Sequence, residues 1–465
     1  MAQTRLAPLE NYKSKSPPAF GHPMLEYFSF DKNFTNMNHG ENPVSNYRYH
    51  TVLTIRSYGS TPIPVLDASK AFADQVEANP EVFHRLDYIP LLVAARERVA
   101  KVIGVRDVDE LVFVPNASHG LNTVLWNFIW EEGDIIIACN TTYNSIGRTV
   151  QYLHDILPHP DLEPFTIILP TTHEKILENW RRHLRALNEK RKELRPNKKI
   201  VAVLDSIVSV PGILLPWKEM VQICKEENIW SVVDAAHSIG QEVNIDLEKA
   251  DPDFWVSNCH KWLFTKRSAA LLYVPKRNQH LIKSTFPTSA AYIPVDQQTG
   301  KQAFVEQFLW NGTIDWTNYF TVVPALDFRE WIGGEEKINA YCRKLAIEGG
   351  RKLAETMGTE VLDDTENQEL TLNMLIRPCD LQTNVTLPIS SKVPFTAEVD
   401  LKFKTKMLRD KNTFGAHYLH NGRWCVRVSA QIWVELEDFV KLGKAYLDVC
   451  PEIEREVLGE EKGKL

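Results

Sequence analysis

Two short apolar runs in the middle of the chain each end in residues that can do chemistry. Asp234 directly follows the run 230–233, and Lys261 closes the NCHK segment that follows the run 254–257. In an open parallel sheet, ligands bind at the carboxyl ends of the strands. Taken as strands, the two runs therefore predict a carboxylate and an amine at one edge of a sheet, with His237 and His260 beside them.

A carboxylate and an amine in one cleft suit chemistry on a Schiff base. A desolvated lysine is a nucleophile toward carbonyl groups, and pyridoxal phosphate needs an anionic partner for its ring nitrogen. Taken singly, a lysine after a strand is usually a solvated surface residue, and an aspartate there is usually a turn or a helix cap. The combination favours a pyridoxal phosphate site, and the two structural interpretations stay open as alternatives.

A second candidate binding element is the turn Asn116-Ala-Ser-His-Gly120. It lies between an apolar run, 111–115, and a segment whose apolar residues recur at helical spacing from Leu121. A small-residue turn that opens a helix offers unpaired backbone N–H groups and a partial positive charge, which suit a phosphate. Ordinary helix capping by Ser118 explains the same pattern equally well.

Strand, loop and helix patterns alternate from Leu111 to Val274, which predicts an α/β fold with a mostly parallel sheet covered by helices on both faces. No GxGxxG or GxxxxGK[ST] motif follows any predicted strand, which disfavours a dinucleotide-binding or P-loop enzyme. The predicted strands are 111–115, 135–139, 166–169, 200–204, 230–233, 254–257 and 269–274, and the predicted helices include 174–194 and 218–227.

The flanks of this region differ from it in pattern. Residues 1–23 are rich in Pro, Lys and Ser and predict a flexible arm, and residues 24–319 are then expected to form one large domain with an N-terminal segment. Strands and helices mix in the remainder, which predicts a smaller C-terminal α+β domain over 320–465, with strands at 370–376 and 424–429.

Composition disfavours several classes of protein. The chain of 465 residues is 44% hydrophobic and 24% charged, as in a globular protein, and its net charge of −7 offers no broad cationic face for nucleic acid. It has no run of 18 apolar residues and no signal-peptide core, so we expect no membrane segment and a cytoplasmic location. The seven cysteines lack CxxC spacing, which favours reduced thiols over disulfides or a metal site.

Four segments together carry a resemblance to one family. They are FGHP at 20–23, NHG at 38–40, DPDFWVSNCHKWLF at 251–264 and RVSAQI at 427–432. With them the chain resembles the class V aminotransferase branch of the fold-type I pyridoxal phosphate enzymes, and within it the isopenicillin N epimerase-like group. It is most similar to the fungal hercynylcysteine sulfoxide lyases and to their paralogues in specialised metabolism of the loline type. The resemblance implies a fold-type I transferase with pyridoxal 5'-phosphate as its cofactor.

The resemblance also implies roles for residues around the cofactor. Lys261 would carry the cofactor covalently and then move the substrate Cα proton, while Asp234 would keep the pyridine nitrogen protonated. His237 and Ser209 would contact the oxygen on the ring. Tyr143 would stack on the ring, with packing in the core as the alternative for this aromatic residue.

A homodimer with shared active sites is a further implication of the resemblance. Gly312 and Thr313 would reach the cofactor phosphate from the other subunit. Arg427 would grip the carboxylate of a small amino-acid substrate by a planar two-point contact, with Asn38 and Glu41 also near the substrate. Within one chain, the phosphate would be bound by Asn116, Ala117, Ser118 and His260.

Two departures from the family pattern bear on the reaction. After NHG this chain has Glu41-Asn42-Pro43 where relatives carry Ser-Phe-Gly, which makes the predicted mouth of the site more acidic and favours a substrate with a cationic distal end. The Asp315-Trp316 pair is more similar to the epimerase relatives. We expect a carbon–sulfur lyase that expels a sulfur group from Cβ, with loline-type alkaloid biosynthesis, epimerisation or transamination as the alternatives.

Overall fold

A sheet of seven strands forms the centre of the computed structural model, and two smaller sheets lie outside it. Helices flank the strands over most of the chain. The residues that the structure describes are 10–31, 33–38, 58–156, 158–169, 171–194, 197–283, 292–294, 297, 304–362 and 381–461.

Strands and helices alternate along the chain until the end of the large sheet. The strands are β1 (Thr35–Asn36), β2 (Leu111–Val114), β3 (Ile135–Cys139), β4 (Asp161–Phe165), β5 (Ile200–Asp205), β6 (Trp230–Asp234), β7 (Phe254–Asn258), β8 (Ala270–Tyr273), β9 (Gln382–Thr386), β10 (Thr413–Phe414), β11 (Ala416–His420) and β12 (Arg423–Ser429). The helices are α1 (Glu10–Lys13), α2 (Ile63–Ala78), α3 (Pro80–Val82), α4 (Tyr88–Val102), α5 (Ala117–Asn127), α6 (Asn144–Asp155), α7 (His173–Leu194), α8 (Trp217–Glu226), α9 (Leu247–Ala250), α10 (Cys259–Trp262), α11 (Glu306–Leu309), α12 (Thr317–Phe320), α13 (Val322–Trp331), α14 (Gly334–Met357), α15 (Ala397–Thr405) and α16 (Leu436–Glu461).

The large sheet has the strand order β2-β8-β7-β6-β5-β3-β4. β8 runs antiparallel to both of its neighbours, and the other strands share one direction. β6 lies between β5 and β7, so the carboxyl ends of these three strands meet at one edge. The predicted α/β class with a mostly parallel sheet is confirmed.

The central strands are buried on both faces. Along β5, Val201 and Val203 join the core under α5 and α6, while Ala202 and Leu204 join the core on the opposite face. All residues of β5 and β7 are buried, as are four of the five residues of β6. Strands that are covered on both faces form continuous apolar runs, which is why the sequence predicts these three correctly.

One predicted strand is wrong in its position. The sequence predicts 166–169, whereas β4 is Asp161–Phe165 and pairs in parallel with β3. β4 is a half-exposed edge strand, where polar residues and Pro164 are tolerated. The side chain of Asn140 bonds the backbone of Ile167 over 2.9 and 3.0 Å, so the apolar residues that follow β4 are held by this side chain instead of by a strand.

The N-terminal residues pack against the C-terminal half of the chain. Tyr12 is buried against Trp331, with ring centroids 4.9 Å apart. The N–H of Gly21 donates to the carbonyl of Ile432 over 2.8 Å. Tyr12 and Gly21 thus contact the C-terminal half, while the flexible arm over residues 1–23 stays a prediction and its first nine residues lie outside the described part of the chain.

The C-terminal part contains the antiparallel sheet β11-β12-β9. α14 packs against β9, β12 and α16, which gives the smaller α+β unit that the sequence predicts. The parallel pair β1-β10 joins the N-terminal segment to this unit. The boundaries 24–319 and 320–465 stay predictions, and the predicted strand 370–376 lies outside the described residues.

A buried arginine joins two turns at the edge of the large sheet. Arg329 on α13 is buried, and its guanidinium donates to the carbonyls of Trp262 over 2.8 Å and Gly240 over 3.0 Å. The same guanidinium forms an ion pair with Glu335. Gly240 follows β6 and Trp262 ends α10, so one side chain holds together the segments that follow β6 and β7.

Arg329→Met should therefore destabilise the protein. The substitution leaves two buried carbonyls without their donor and breaks the pair with Glu335. We expect a loss of roughly 3 kcal/mol, the lower end for a broken buried pair, because the Glu335 carboxylate is partly exposed. Urea unfolding of the cofactor-free protein measures this loss. Lys344→Met is the matched control, since Lys344 is 74% exposed and pairs with Glu348 at the surface. Equal losses in the two variants would contradict the assignment.

Candidate active site

Lys261 is a buried amine at the end of a strand. β7 ends at Asn258, and the single turn α10 follows at once and carries Lys261. The Lys261 side chain is only 2% exposed, and Nζ lies 3.0 Å from Nε2 of His237. The alternative interpretation, a solvated surface lysine, is therefore excluded.

His237 lies between the side chains of Lys261 and Trp262. The indole N–H of Trp262 donates to Nδ1 of His237 over 3.5 Å. Nε2 of His237 and the Lys261 amine lie within hydrogen-bond distance of each other. The neutral form of a lysine amine attacks a carbonyl group or takes up a proton.

Asp234 ends β6, the neighbour of β7 in the sheet. Its side chain is buried, and Oδ1 accepts the N–H of Ala236 over 3.0 Å. This Asx turn begins the segment that carries His237. Asp234, His237 and Lys261 are thus brought together by the ends of two adjacent parallel strands.

The segment before α2 packs directly on α10. Gly59 has a φ of +68°, and an added Cβ would lie 1.7 Å from the carbonyl oxygen of His260. Any side chain at this position would displace the turn that carries Lys261. Only glycine permits both the backbone angle and this close approach.

The turn before α5 is held by its own cap. Asn116 has an extended backbone, and its Oδ1 accepts the N–H of His119 over 2.9 Å, so Asn116 is the N-cap. The prediction that Ser118 caps the helix is wrong, because Ser118 already lies in the first helical turn. The N–H of Ala117 donates to Oδ1 of Asn258 over 2.9 Å, which joins the start of α5 to the end of β7.

His260 is the neighbour of Lys261 on α10. Its Nδ1 lies 3.0 Å from the carbonyl oxygen of Ala269. Burial and the nearby Lys261 lower the pKa of His260 to about 4. The ring is therefore neutral near neutral pH, with Nδ1 donating to the carbonyl and Nε2 as the acceptor nitrogen. A phosphate beside the ring would favour its protonated form, which donates from both nitrogens.

Arg427 on β12 connects the small sheet to the large one. Its buried guanidinium donates to the carbonyl of Ser209 and, over 2.9 Å, to Oδ1 of Asn38. Gly212, in the same loop as Ser209, leaves the space that Arg427 needs, since a Cβ there would lie 2.9 Å from Arg427 Cδ. Three predicted site residues from distant parts of the chain, Asn38, Ser209 and Arg427, are therefore in contact.

Four predicted site residues are not part of the contacts around Lys261 and Arg427. Tyr143, at the start of α6, is half-buried and packs against the core under α5, so its two interpretations both stay open. Gly312 and Thr313 lie in the loop between α11 and α12. Thr313 is exposed, and a Cβ on Gly312 would meet no atom within 4 Å. Glu41 lies outside the described residues.

Asp205 is a buried carboxyl group that the sequence interpretation did not single out. It ends β5 and is the register partner of Asp234 on β6. Burial and the negative charge of Asp234 raise the pKa of Asp205 well above its ordinary value. The backbone N–H of Tyr143 donates to this carboxyl. The signal was available, because Asp205 follows a predicted strand just as Asp234 does.

These residues fit pyridoxal phosphate. A buried amine can bind its aldehyde, a buried carboxylate its ring nitrogen, and the start of a helix its phosphate. The Ser209 hydroxyl is buried and has no hydrogen-bond partner among the described residues, so an oxygen of a ligand would satisfy it. The part of the chain that the structure describes has no group of three or more His, Cys, Asp or Glu side chains able to hold a metal ion. The same residues include no helix long and apolar enough to cross a membrane.

Known proteins match this chain over most of its length. The sequence profile of the class-V aminotransferases matches residues 57–387. The L-cysteine desulfhydrase-like protein lolT1 of Epichloe uncinata is 31% identical over 471 residues, covering 95% of this chain and 98% of the relative. The hercynylcysteine sulfoxide lyase of Schizosaccharomyces pombe is 29% identical over 439 residues, covering 93% of this chain and 98% of the relative. A solved structure of a C-DES mutant with glycine covalently linked to its PLP cofactor superposes with a TM-score of 0.70 at 17% identity, covering 93% of this chain and all of that one.

The solved structure is too distant in sequence to show more than a common fold, which is the fold-type I architecture expected from the sequence. The profile match covers well over half of the chain, and the similarity to the fungal relative extends over nearly all of it. The chain therefore belongs to the class V aminotransferase family and is a pyridoxal phosphate-dependent enzyme.

Proposed function

We propose that this enzyme is a carbon–sulfur lyase that removes the Cα proton of an amino-acid substrate and expels a sulfur group from Cβ. The observation that carries the proposal is the buried Lys261 amine, 3.0 Å from His237 and one strand away from the buried Asp234. The similarity to a hercynylcysteine sulfoxide lyase over nearly the whole chain supports sulfur as the leaving group.

Each buried group at the strand ends has one task in this proposal. When bound, pyridoxal phosphate supplies an electron-accepting ring conjugated with the substrate Cα. Lys261 would hold the cofactor covalently and, once displaced by the substrate, its amine in the neutral form would take the Cα proton. His237 contacts Lys261 Nζ over 3.0 Å and so orients it. The same imidazole would face the ring oxygen of the cofactor. Asp234 keeps a negative charge beside the ring nitrogen.

Other predicted residues bind the ends of the cofactor and the substrate. Arg427 presents a planar guanidinium that its contacts with Ser209 and Asn38 hold in one orientation, which suits a two-point contact with a carboxylate. The Ser209 hydroxyl would bond the ring oxygen, and Tyr143 would stack on the ring. The phosphate would be bound by Asn116, Ala117, Ser118 and His260.

A second candidate function is a loline-type step in fungal specialised metabolism, in which the carbanion at Cα is used for another reaction. The observation that favours it is the similarity to lolT1 over nearly the whole of both chains. Glu41, which the sequence resemblance implies to be near the substrate, would suit a cationic distal end in either case. The sulfur-containing substrate remains our first choice, because lolT1 is itself named for its likeness to an L-cysteine desulfhydrase.

We also propose a homodimer in which Gly312 and Thr313 complete the phosphate site of the neighbouring subunit. The exposure of Thr313 and the open space around Gly312 support this arrangement. A cytoplasmic location is proposed with it. The six cysteines in the described residues are all free and buried, which suits a reducing compartment.

Lys261→Ala should abolish both cofactor attachment and turnover. Loss of a positioned base typically costs about 100- to 10,000-fold in rate, and here the covalent anchor is lost as well. Visible absorbance of the bound cofactor and a lyase assay measure the two effects. Lys249→Ala, which removes an exposed lysine on α9, is the matched control and should leave both signals intact. Turnover by Lys261→Ala at the wild-type rate would end the proposal.

The products separate the two candidate functions. Elimination from a cysteine-conjugate sulfoxide should release pyruvate and ammonia in equal amounts, together with the sulfenic acid. A conjugate with a trimethylammonium group at its distal end should react faster than an uncharged S-alkyl conjugate, because of the acidic residue at Glu41. A holoenzyme that binds its cofactor but releases neither pyruvate nor ammonia would favour the loline-type alternative.

Mixing two inactive variants tests the shared site. Lys261→Ala removes the amine from one site, and Thr313→Asp sets a carboxylate against the phosphate bound by the other chain. A mixed dimer then keeps one intact site, so random mixing should restore about a quarter of the wild-type activity. The matched control mixes Lys261→Ala with Asp234→Asn, which alter the same chain's site and should restore none. No recovery in the first mixture would contradict the shared site.

A further inference from the structure

A buried serine on β7 bridges the turn that follows β6. The hydroxyl of Ser257 donates to the carbonyl of Ala235 over 2.5 Å and accepts the N–H of Ile239 over 3.2 Å. Ser257 is completely buried. A serine hydroxyl has a single proton to donate, and here that proton is used within the chain. Ser257 thus joins both ends of the turn 235–239 to the neighbouring strand.

His237 lies at the centre of this turn. Its Nε2 is 3.0 Å from Nζ of Lys261, and its Nδ1 accepts the indole N–H of Trp262 over 3.5 Å. Both partners lie on α10, which directly follows β7. The hydroxyl of Ser257 therefore links the turn that carries the imidazole to the strand that leads to the amine.

A second buried serine holds the same turn from its other side. The N–H of Ser238 donates to the carbonyl of Ala235 over 2.9 Å, and the Ser238 hydroxyl forms a hydrogen bond with that of Ser206, the residue that follows β5. The turn is thus fixed between the ends of β5 and β7. Of the two serines that hold it from outside, Ser257 is the one on the strand that leads to Lys261.

We propose that Ser257 is a positioning residue for the reaction, whose hydroxyl fixes the His237 imidazole against the Lys261 amine. Ser257 acts through His237 and contacts neither cofactor nor substrate. The inference rests on the roles of His237 and Lys261 in the proposed function. The alternative is a structural role alone, in which the hydroxyl only satisfies the buried N–H of Ile239. Loss of the hydroxyl would then cost stability but leave the amine in place.

A double-mutant cycle with His237 separates these roles. Ser257→Ala should lower kcat of the holoenzyme by up to about 100-fold, the cost of displacing a reacting group by about 1 Å. KM should change little, because Arg427 has separate contacts. The same substitution made in His237→Ala should leave kcat unchanged, since no imidazole remains to be positioned. Equal losses in the two backgrounds, or no loss in either, would overturn the inference.

Ser231, at the start of β6, provides the matched control. It is also completely buried, and its hydroxyl donates to Oδ2 of Asp253 over 3.1 Å and accepts the N–H of the same residue over 3.0 Å. Ser231→Ala removes the same kind of bridge at the opposite end of the strand. It should lower the urea midpoint of unfolding about as much as Ser257→Ala does and leave kcat unchanged. A loss of kcat equal to that of Ser257→Ala would refute the positioning role.

Attachment of pyridoxal phosphate to the cofactor-free protein gives a readout that is independent of turnover. The rate of attachment, followed by absorbance across a pH series, reports the neutral fraction of the Lys261 amine. Titration of the cofactor itself is common to all variants. Ser257→Ala should shift the midpoint of this profile in the same direction as His237→Ala, and Ser231→Ala should leave it in place. A wild-type midpoint in Ser257→Ala would contradict the proposal.

A conservative variant keeps the test decisive when the alanine variant does not fold. Ser257→Cys retains a weak donor in the same space. It should show part of the loss in kcat and part of the shift in the attachment profile. Wild-type values of both quantities in a folded Ser257→Cys protein would refute the positioning role.

The outcomes also separate this inference from the proposed function. A wild-type attachment profile in His237→Ala would remove the proposed role of His237 and the inference with it. A shifted profile in His237→Ala, with Ser257→Ala equal to the wild type, would remove only the inference. A holoenzyme that releases no pyruvate would remove the lyase activity, and the attachment profile of the cofactor-free protein would then decide on Ser257.

Discussion

The constraint on which this structure depends is the burial of an amine and two carboxyl groups at one edge of a sheet. Asp205, Asp234 and Lys261 follow three neighbouring strands, and each is almost inaccessible to water. Burying an ion costs several kcal/mol unless partners lie close to it. These buried groups keep their partners only while the turns after the strands stay in place. The backbone of Gly59 and the guanidinium of Arg329 contact the turn that carries Lys261 and help to hold it.

A buried polar residue of the small sheet also helps to position the site. Oδ1 of Asn384 on β9 accepts the N–H of Gly212 over 3.1 Å and the hydroxyl of Tyr418 over 2.9 Å. Its Nδ2 donates to the carbonyl of Gly212 over 3.3 Å. These bonds fix the loop after β5, whose Ser209 carbonyl in turn holds Arg427. The proposed contacts for the cofactor oxygen and for the substrate carboxylate are thus positioned by one set of hydrogen bonds between the two sheets.

How far the sequence predicts this structure depends on which residues are buried. β5, β6 and β7 are covered on both faces and form apolar runs, so the strand ends at Asp234 and Lys261 could be predicted. β9 could not, because QTNVT is polar and is buried through bonds with residues distant in sequence. Asn116 caps α5 in place of Ser118 because the backbone of Asn116 is extended. This backbone conformation cannot be read from the residue types in the turn. Only the strand register makes Asp205 a partner of Asp234.

The charges of the site are arranged to match a molecule that carries both signs. At one end, Asp205 and Asp234 are buried carboxyl groups on neighbouring strands, and at the other, His260 is neutral because burial and Lys261 lower its pKa to about 4. A cationic ring nitrogen and an anionic phosphate would each favour the ionised form of the group that they meet. A ligand that binds only the folded chain also stabilises it. The buried polar groups that reduce the stability of the cofactor-free protein are therefore the same groups that recognise the cofactor, so stability and recognition cannot be optimised separately at this edge of the sheet.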